Sequence, residues 1–505
     1  MGDPKKIELP TLSLPDHWSA LESGLVDVST SLTAYSMDRD VYEANSGGKG
    51  FTFSTPILYA GSTFVGDPDY VDCADRGDTL LGNCRGLSVC VIDGTATSRV
   101  IEEMLDGSNT LIVSTGEELL TNFVNGKCNV IAGPNLLVYQ EALVRSAGYQ
   151  GSIVLGPRVY DKLPMTIVSR GDDPEFGDLV NWIIRSLFVA ESMGVTKDTA
   201  GLFPATSLWG DDNSNMFRNV IGTIGNYGEF YGRWLASRIP LNGLNMLNTL
   251  GNTGLIYSMP MGDTLLDTKL TIDKVPGPSV GGTLERIAER GHLNCGVVNN
   301  TSDASKEGRI QGFSRWNTTI VAWEGFDVDY CRGLSAALFA GDADRVQYQV
   351  FTTMSDGFAA LHGTDNRDVD VLTGALYNMQ NDIKEPTTGS GFSFSPVYYY
   401  HEQPNSLVSS YALASREDDE QWSDFITWLV YGTMYAEELG INAGGMPVIE
   451  LFGERYKQSL RDAILAIGHY GQLYDRNMER YVPRSGRNLI NTGADPQMNP
   501  SWKFE

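Results

Sequence analysis

The chain is poor in histidine, cysteine and positive charge, and it has no long apolar run. Its five histidines, His17, His292, His362, His401 and His469, are scattered over 505 residues. None stands at metal-ligand spacing from another His or from a Cys, so no zinc or iron centre is expected. Lys and Arg number 37 against 63 Asp and Glu, a net charge of −26. Neutralising phosphates needs clustered cations, so nucleic acid and anionic membrane surfaces are excluded as partners, and the acid reads as a solubilising surface. No apolar run approaches the ~20 residues that span a bilayer. The start, MGDPKKIELPTL, has no signal-peptide core, which fits a cytosolic protein or a mature form whose targeting segment has been removed. There is no GxSxG elbow and no P-loop, and GTIGNYG at 222–228 follows no strand. The chain therefore reads as no enzyme, with no cofactor. Six cysteines are too few for a disulfide scaffold. Cys90 and Cys128 lie on neighbouring strand-like runs, as do Cys295 and Cys331, while Cys73 and Cys84 flank a Gly/Asp-rich loop. Three bridges and buried free thiols both fit these positions.

What the chain does have is one pattern written twice. GNYGEFYGR at 225–233 returns as GHYGQLYDR at 468–476, 243 positions on, and SRGDD at 169–173 returns as SREDD at 415–419, 246 on. The helix-like run around Trp182 returns around Trp428, and GFTFSTP at 50–56 returns as GFSFSP at 391–396. VDV at 26–28 returns at 369–371. A nearly fixed spacing over so many matches implies a duplicated module, so Tyr227 should superpose on Tyr470 and Trp182 on Trp428. The jump in offset means that the first copy holds extra chain in its interior, whereas the second holds extra chain at its front.

Strand-like and helix-like runs alternate, which predicts an α/β fold of two tandem modules, with parallel or mixed sheets flanked by helices. LSVCVI, NTLIVS, CNVIAG and GSIVLG read as strands of the first copy; LNCGVV, VQYQVFT and DVDVLTG read as strands of the second. TLERIAERG reads as a helix closed by Gly291. VPGPSVGG at 275–282 reads as a linker, dividing module A (1–274) from module B (283–505). The acidic pairs Asp172/Asp173 and Glu417–Glu420 read as solvated helix-start charges.

GTLERIAERGHLNCGV, GFDVDYCRGLSAALFAGDADRVQY and VDV resemble the first lobe of the periplasmic amino-acid-binding proteins of ABC importers, of the polar or general L-amino-acid type. SVCVIDGTATS, GKCNVI and GDDPEFGDLVNWIIRSLFVAESMGV with GNYGEFYGR resemble the second lobe and return segment. The resemblance implies a degenerate periplasmic-binding-protein-like fold in which module A has a truncated lobe one and a complete lobe two, and module B the reverse. It also implies one bridge per lobe, Cys90–Cys128 and Cys295–Cys331. Such proteins hold the ligand carboxylate with an Arg just after the VDV-type strand, where this chain has Ser31 and Gly374. They hold the ammonium with an acid that falls here on Pro134 or Asn135. The GTATS turn, with Gly94, Thr95 and Thr97, survives as a candidate anion turn or a helix cap. With both charged anchors gone, a free amino acid would be desolvated without compensation.

The paired regions and the missing site also resemble the pyrenoid shell proteins of diatoms and related algae. That resemblance implies a structural, self-assembling protein: a homo-oligomeric sheet around the Rubisco condensate of the plastid stroma, in support of CO2 concentration. Its partners would be other copies of itself, with Rubisco or a pyrenoid matrix component. Unlike ends favour head-to-tail contacts, with Trp502 and Phe504 of the C-terminal segment as expected assembly anchors. The competing reading is a secreted or periplasmic solute-binding protein with altered ligand preference.

Overall fold

The structure is a computed structural model, which describes residues 6–10, 12, 16–42, 50–105, 109–135, 144–236, 278–298, 312–363, 368–402 and 408–485. The first half runs through α1 (Asp16–Glu22), β1 (Ser29–Ala34), α2 (Met37–Val41), β2 (Phe51–Phe53), β3 (Leu58–Ala60), β4 (Ser62–Gly66), α3 (Pro68–Asp75) and β5 (Val89–Ile92). It continues with α4 (Ala96–Met104), β6 (Thr110–Val113), α5 (Gly116–Val124), β7 (Val130–Pro134), β8 (Val154–Leu155), β9 (Leu163–Arg170), α6 (Pro174–Ser192), α7 (Met216–Ile224) and α8 (Tyr227–Trp234). The second half begins with α9 (Thr283–Arg290), β10 (Leu293–Val298), β11 (Arg315–Asn317), β12 (Ala322–Glu324), α10 (Phe326–Leu338), β13 (Val346–Phe351), α11 (Met354–His362) and β14 (Val371–Tyr377). It ends with α12 (Met379–Lys384), β15 (Phe392–Phe394), β16 (Tyr399–Glu402), β17 (Val408–Arg416), α13 (Glu420–Glu438), α14 (Ser459–Ile467) and α15 (Tyr470–Asn477).

Among the described residues no sheet crosses from one half to the other. The first half has an antiparallel sheet, β1-β9-β2 with β3 also on β9, and a mixed sheet in the order β6-β5-β7-β4-β8. The second has one mixed sheet, β13-β10-β14-β17-β15 with β16 on β17, and the hairpin β11-β12. Of the runs read as strands in the sequence, β5, β7 and β10 are buried inside their sheets with parallel neighbours, whereas NTLIVS, GSIVLG and VQYQVFT form the more exposed edge strands β6, β8 and β13. Runs buried on both faces are what parallel pairing requires.

The repeat is preserved down to register. Phe51 faces Arg170 across β2 and β9, and Phe392 faces Arg416 across β15 and β17. Leu58 faces Met165 just as Tyr399 faces Tyr411. Helices α6 and α13 both run for 19 residues behind an Asp cap, Asp173 or Asp419, with φ of −133° and −137°. Each cap accepts a hydrogen bond from the N–H of the third helical residue, at 3.1 and 3.2 Å, and so satisfies an orphan donor of the first turn. The pairs α7/α14 and α8/α15 also match. Gly225 and Gly468 turn the chain between them at φ 85° and 82°, a left-handed conformation that favours glycine.

The halves differ by insertion. The mixed sheet with β4 to β8 stands between β3 and β9, where the second half passes directly from β16 to β17. β10, β13 and α9 to α11 precede β14 and have no counterpart before β1 among the described residues. The first half thus has the extra sheet in its interior and the second the extra elements at its front. Thr30 of β1 is exposed, whereas its counterpart Thr373 is fully buried and donates to the Gly296 carbonyl on β10.

Candidate functional site

The position that holds an arginine in the resembled family ends in a glycine here, and the surrounding side chains fill its space. Gly374 sits in an irregular stretch of the β14–β17 pairing with φ at +61°. Its N–H donates to the Tyr398 hydroxyl at 2.8 Å, and that hydroxyl donates to Asp327 Oδ1 at 2.6 Å. The Tyr398 carbonyl in turn accepts from the Tyr470 hydroxyl at 2.6 Å. Burial, with the Asp327 carboxylate second, holds the Tyr398 phenol well above its usual value. A Cβ at 374 would lie 2.6 Å from Asp327 Oδ2. The space beside Gly374 is therefore occupied by the buried Asp327 carboxyl and the Tyr398 hydroxyl. Ser31 lies in β1; its side chain is outside the described residues.

Pro134 and Asn135, where the resemblance would place an acidic anchor, carry no charge. Pro134 ends β7 opposite Ser62, and Asn135 is clipped to Gly61: its side-chain oxygen accepts from the Gly61 N–H at 3.1 Å while its own N–H donates to the Gly61 carbonyl. In the GTATS turn Gly94 takes φ +69°, and Thr95 caps α4 by accepting from the Ser98 N–H at 3.1 Å. Thr97 is buried against Ser62, oxygen to oxygen 2.8 Å. The Ser62 hydroxyl also meets Asp161, whose carboxyl burial pushes up to about 6. The turn is thus a helix cap whose hydroxyls are engaged within the chain.

All six cysteines are bridged, as Cys73–Cys84, Cys90–Cys128 and Cys295–Cys331. Trp502 and Phe504 lie outside the described residues, as do positions 275–277 of the expected linker.

Sequence reasoning missed how the halves grip each other. Trp182 of α6 donates its Nε1–H to Asp382 of α12 at 2.6 Å, and Trp428 of α13 donates to Asp40 of α2 at 2.7 Å. These pairs are repeat equivalents, so the halves exchange the same bond across a pseudo-two-fold axis, as in an isologous dimer. Met37 is buried in the second half's core and Met379 packs on the first half's. Tyr35 lies edge-on to Trp428 with centroids 5.6 Å apart, and its equivalent Tyr377 lies 6.0 Å from Trp182. Arg185 stacks over Tyr377 at 4.9 Å and over Trp182 at 5.3 Å. The signal was present in the sequence: YSMDRD at 35–40 and YNMQND at 377–382 align, with both aspartates six residues into the match. Glu417, expected to be a solvated helix-start charge, instead shares a hydrogen bond with Asp178 across the interface, and burial raises both carboxyls.

One ion pair breaks the symmetry. Lys162 at the start of β9 is almost wholly buried and meets Glu438 at the end of α13 at 2.6 and 2.8 Å. Removing one partner strands a buried charge, so Lys162→Met should cost about 3 kcal/mol. Lys162→Met with Glu438→Leu should recover most of that loss, and a double-mutant cycle in urea would measure the coupling; additive losses would show that the pair does not couple.

No family model matches the chain. Among curated proteins it is 26% identical over 281 residues to the putative amino-acid ABC transporter-binding protein YhdW of Escherichia coli (strain K12), covering 51% of this chain and 78% of that protein. It is 24% identical over 282 residues to the general L-amino acid-binding periplasmic protein AapJ of Rhizobium johnstonii, with the same coverages. It is 26% identical over 285 residues to the glutamate/glutamine/aspartate/asparagine-binding protein BztA of Rhodobacter capsulatus, over 52% of this chain and 79% of that one. Among solved structures, an ABC transporter/periplasmic binding protein from Brucella ovis with glutathione bound aligns at 23% identity and a TM-score of 0.41, over 52% of this chain and 84% of that one. These relatives are named as binding proteins, and the chain itself is a mixed α/β fold whose sheets are flanked by helices. Among the described residues no helix is long and apolar enough to cross a membrane.

Proposed function

We propose that the chain is an extracytoplasmic, non-catalytic solute-binding protein with an altered ligand preference, one that does not hold a free amino acid through a carboxylate–guanidinium pair. The relatives' amino-acid binding supports the binding role. The altered preference rests on Gly374: Asp327 and Tyr398 fill the place of the anchoring arginine. Three bridges and no free thiol suit an oxidising compartment better than a plastid stroma. In this reading residues 1–274 and 283–505 are the two modules, joined through 275–282.

Self-assembly is the second reading, favoured by the inequality of the halves. Thr30 stands exposed where Thr373 is covered by a strand, and an uncovered β-edge invites another chain. A pyrenoid-type shell, with Rubisco or a matrix component as partner, draws on the sequence resemblance alone. Isothermal titration of the full chain against common amino acids, short peptides and other small solutes tests the first reading. No common amino acid should bind at micromolar strength, and heat should come from a solute lacking the free zwitterion. Micromolar binding of a common amino acid would overturn the altered preference. Silence from every solute, together with a light-scattering mass that grows with concentration, would favour assembly.

A further inference from the structure

The interface between the halves buries far more acid than base, and it does so around two symmetry-related hydrogen bonds. We infer that the Trp182–Asp382 and Trp428–Asp40 pairs form a proton-operated latch, which holds the halves together while the two aspartic acids are neutral and loosens when they ionise. The groups facing each aspartate can be named element by element. Against Asp40 stand Tyr35 before α2, whose hydroxyl donates at 3.2 Å, and Trp428, Tyr431, Asp424 and Glu420 from α13. On α2 itself, Asp38 is paired with Arg99, and Arg39 donates to the Ala34 carbonyl and lies over Trp18. Against Asp382 stand Tyr377 of β14, Trp182, Arg185 and Asp178 of α6, and Glu417 ahead of α13. Lys384, two residues on in α12, is exposed.

The charge balance decides the sign. Asp40, Asp178, Asp382, Asp424 and Glu417 converge on the interface, and Arg185 is the cation set among them. Arg185 and Tyr431 are repeat equivalents and interact with each other, as residues beside a two-fold axis do. Among the described residues one guanidinium stands among five carboxylates, so the closed interface disfavours their ionisation. Burial is the first cause in every case. It pushes Asp40 and Asp382 up to about 7, although the indole donors pull the other way. Asp178 and Asp424 are raised further by their acidic neighbours.

A carboxyl whose pKa is higher in the closed state binds more protons there, so opening releases protons and becomes easier as pH rises from about 4 to about 7, then levels off. With Asp40 and Asp382 alone the open population should increase more than about tenfold between pH 5 and pH 7, and Asp178, Asp424 and Glu417 act in the same direction. Hydrogen exchange of the full chain, corrected for intrinsic rates, should show this loss of protection at amides of α2 and α12 but not of β10. Asp40→Asn with Asp382→Asn keeps an acceptor for each indole and removes the charge, and should lower the slope, with Asp178, Asp424 and Glu417 supplying what remains. If that variant fails to fold, either single substitution should lower the logarithmic slope by a smaller step of the same sign. PH-independent protection at α2 and α12, or an unchanged slope in the Asn variants, would overturn the latch.

Discussion

Replacing Trp428 by alanine should cost the protein about 5 kcal/mol in chemical denaturation, whereas Trp182→Ala should cost about 2 kcal/mol. The two residues are repeat equivalents making the same bond, so the difference must come from surroundings. Trp428 is completely buried among Tyr35, Tyr431 and the second half's core, so its removal should leave a cavity in a packed interior. Trp182 is only half-buried and lies against Arg185, whose long side chain can follow the cavity. Removing Trp428 also takes the indole donor from Asp40, and a buried acceptor left without its donor adds to the loss. Trp428→Phe separates the two contributions. It keeps most of the volume, and loss of the donor should raise the Asp40 carboxyl further, because that bond favours the ionised form. Equal losses below about 1 kcal/mol for both alanine variants would mean that the halves do not depend on this contact.

That interface also marks the limit of what the sequence disclosed. The repeat was legible because each match sits where the backbone permits few residues: an Asp cap before a 19-residue helix, a left-handed glycine before a capping box, a Ser that closes two strands. Ser54 and Ser395 illustrate the last case. Each accepts from a strand N–H, of Ile167 or Leu413, with its hydroxyl at 3.0 Å. Such local chemistry leaves a pattern in one segment of chain. The one-residue slip between the VDV match and the YSM/YNM match was less readable. It is taken up in the irregular pairing between Ser29 and Thr33, and between Leu372 and Ala375, where a bulge absorbs an extra residue.

The exchange of α2 and α12 between halves was not legible, because it is a choice of partner rather than of conformation. Met37 and Met379 would be apolar helix starts whichever core received them. The empty anchor at Gly374 could be read as an absence, but its filling by Tyr398 and Asp327 could not. Tyr398 comes from the turn before β16 and Asp327 from the first turn of α10, 71 positions apart in sequence. The insertion of β4 to β8 between β3 and β9, by contrast, follows directly from the jump in repeat offset.

Breaking the bridges should rank beside losing Trp428, with a different distribution. Cys90–Cys128 and Cys295–Cys331 close loops of 38 and 36 residues, which the loop-closure relation values at about 4 kcal/mol each; Cys73–Cys84, with a separation of 11, is worth about 3 kcal/mol. The bonds lie in different cores. Cys90 and Cys128 pack with Phe123 and Val144 beside the mixed sheet of the first half, whereas Cys295 and Cys331 tie β10 to α10 in the second. Distant sites add, so the paired alanine variants Cys90→Ala/Cys128→Ala and Cys295→Ala/Cys331→Ala should each destabilise their own half, and their combination should sum. Reductant should cost the unmodified chain more than that combined loss, because it also opens Cys73–Cys84, and should do nothing further to a variant in which Cys73 and Cys84 are replaced as well. Denaturant midpoints with and without reductant measure this. A chain whose midpoint ignores the reductant would not depend on its bridges, and the case for an oxidising compartment would fall with them.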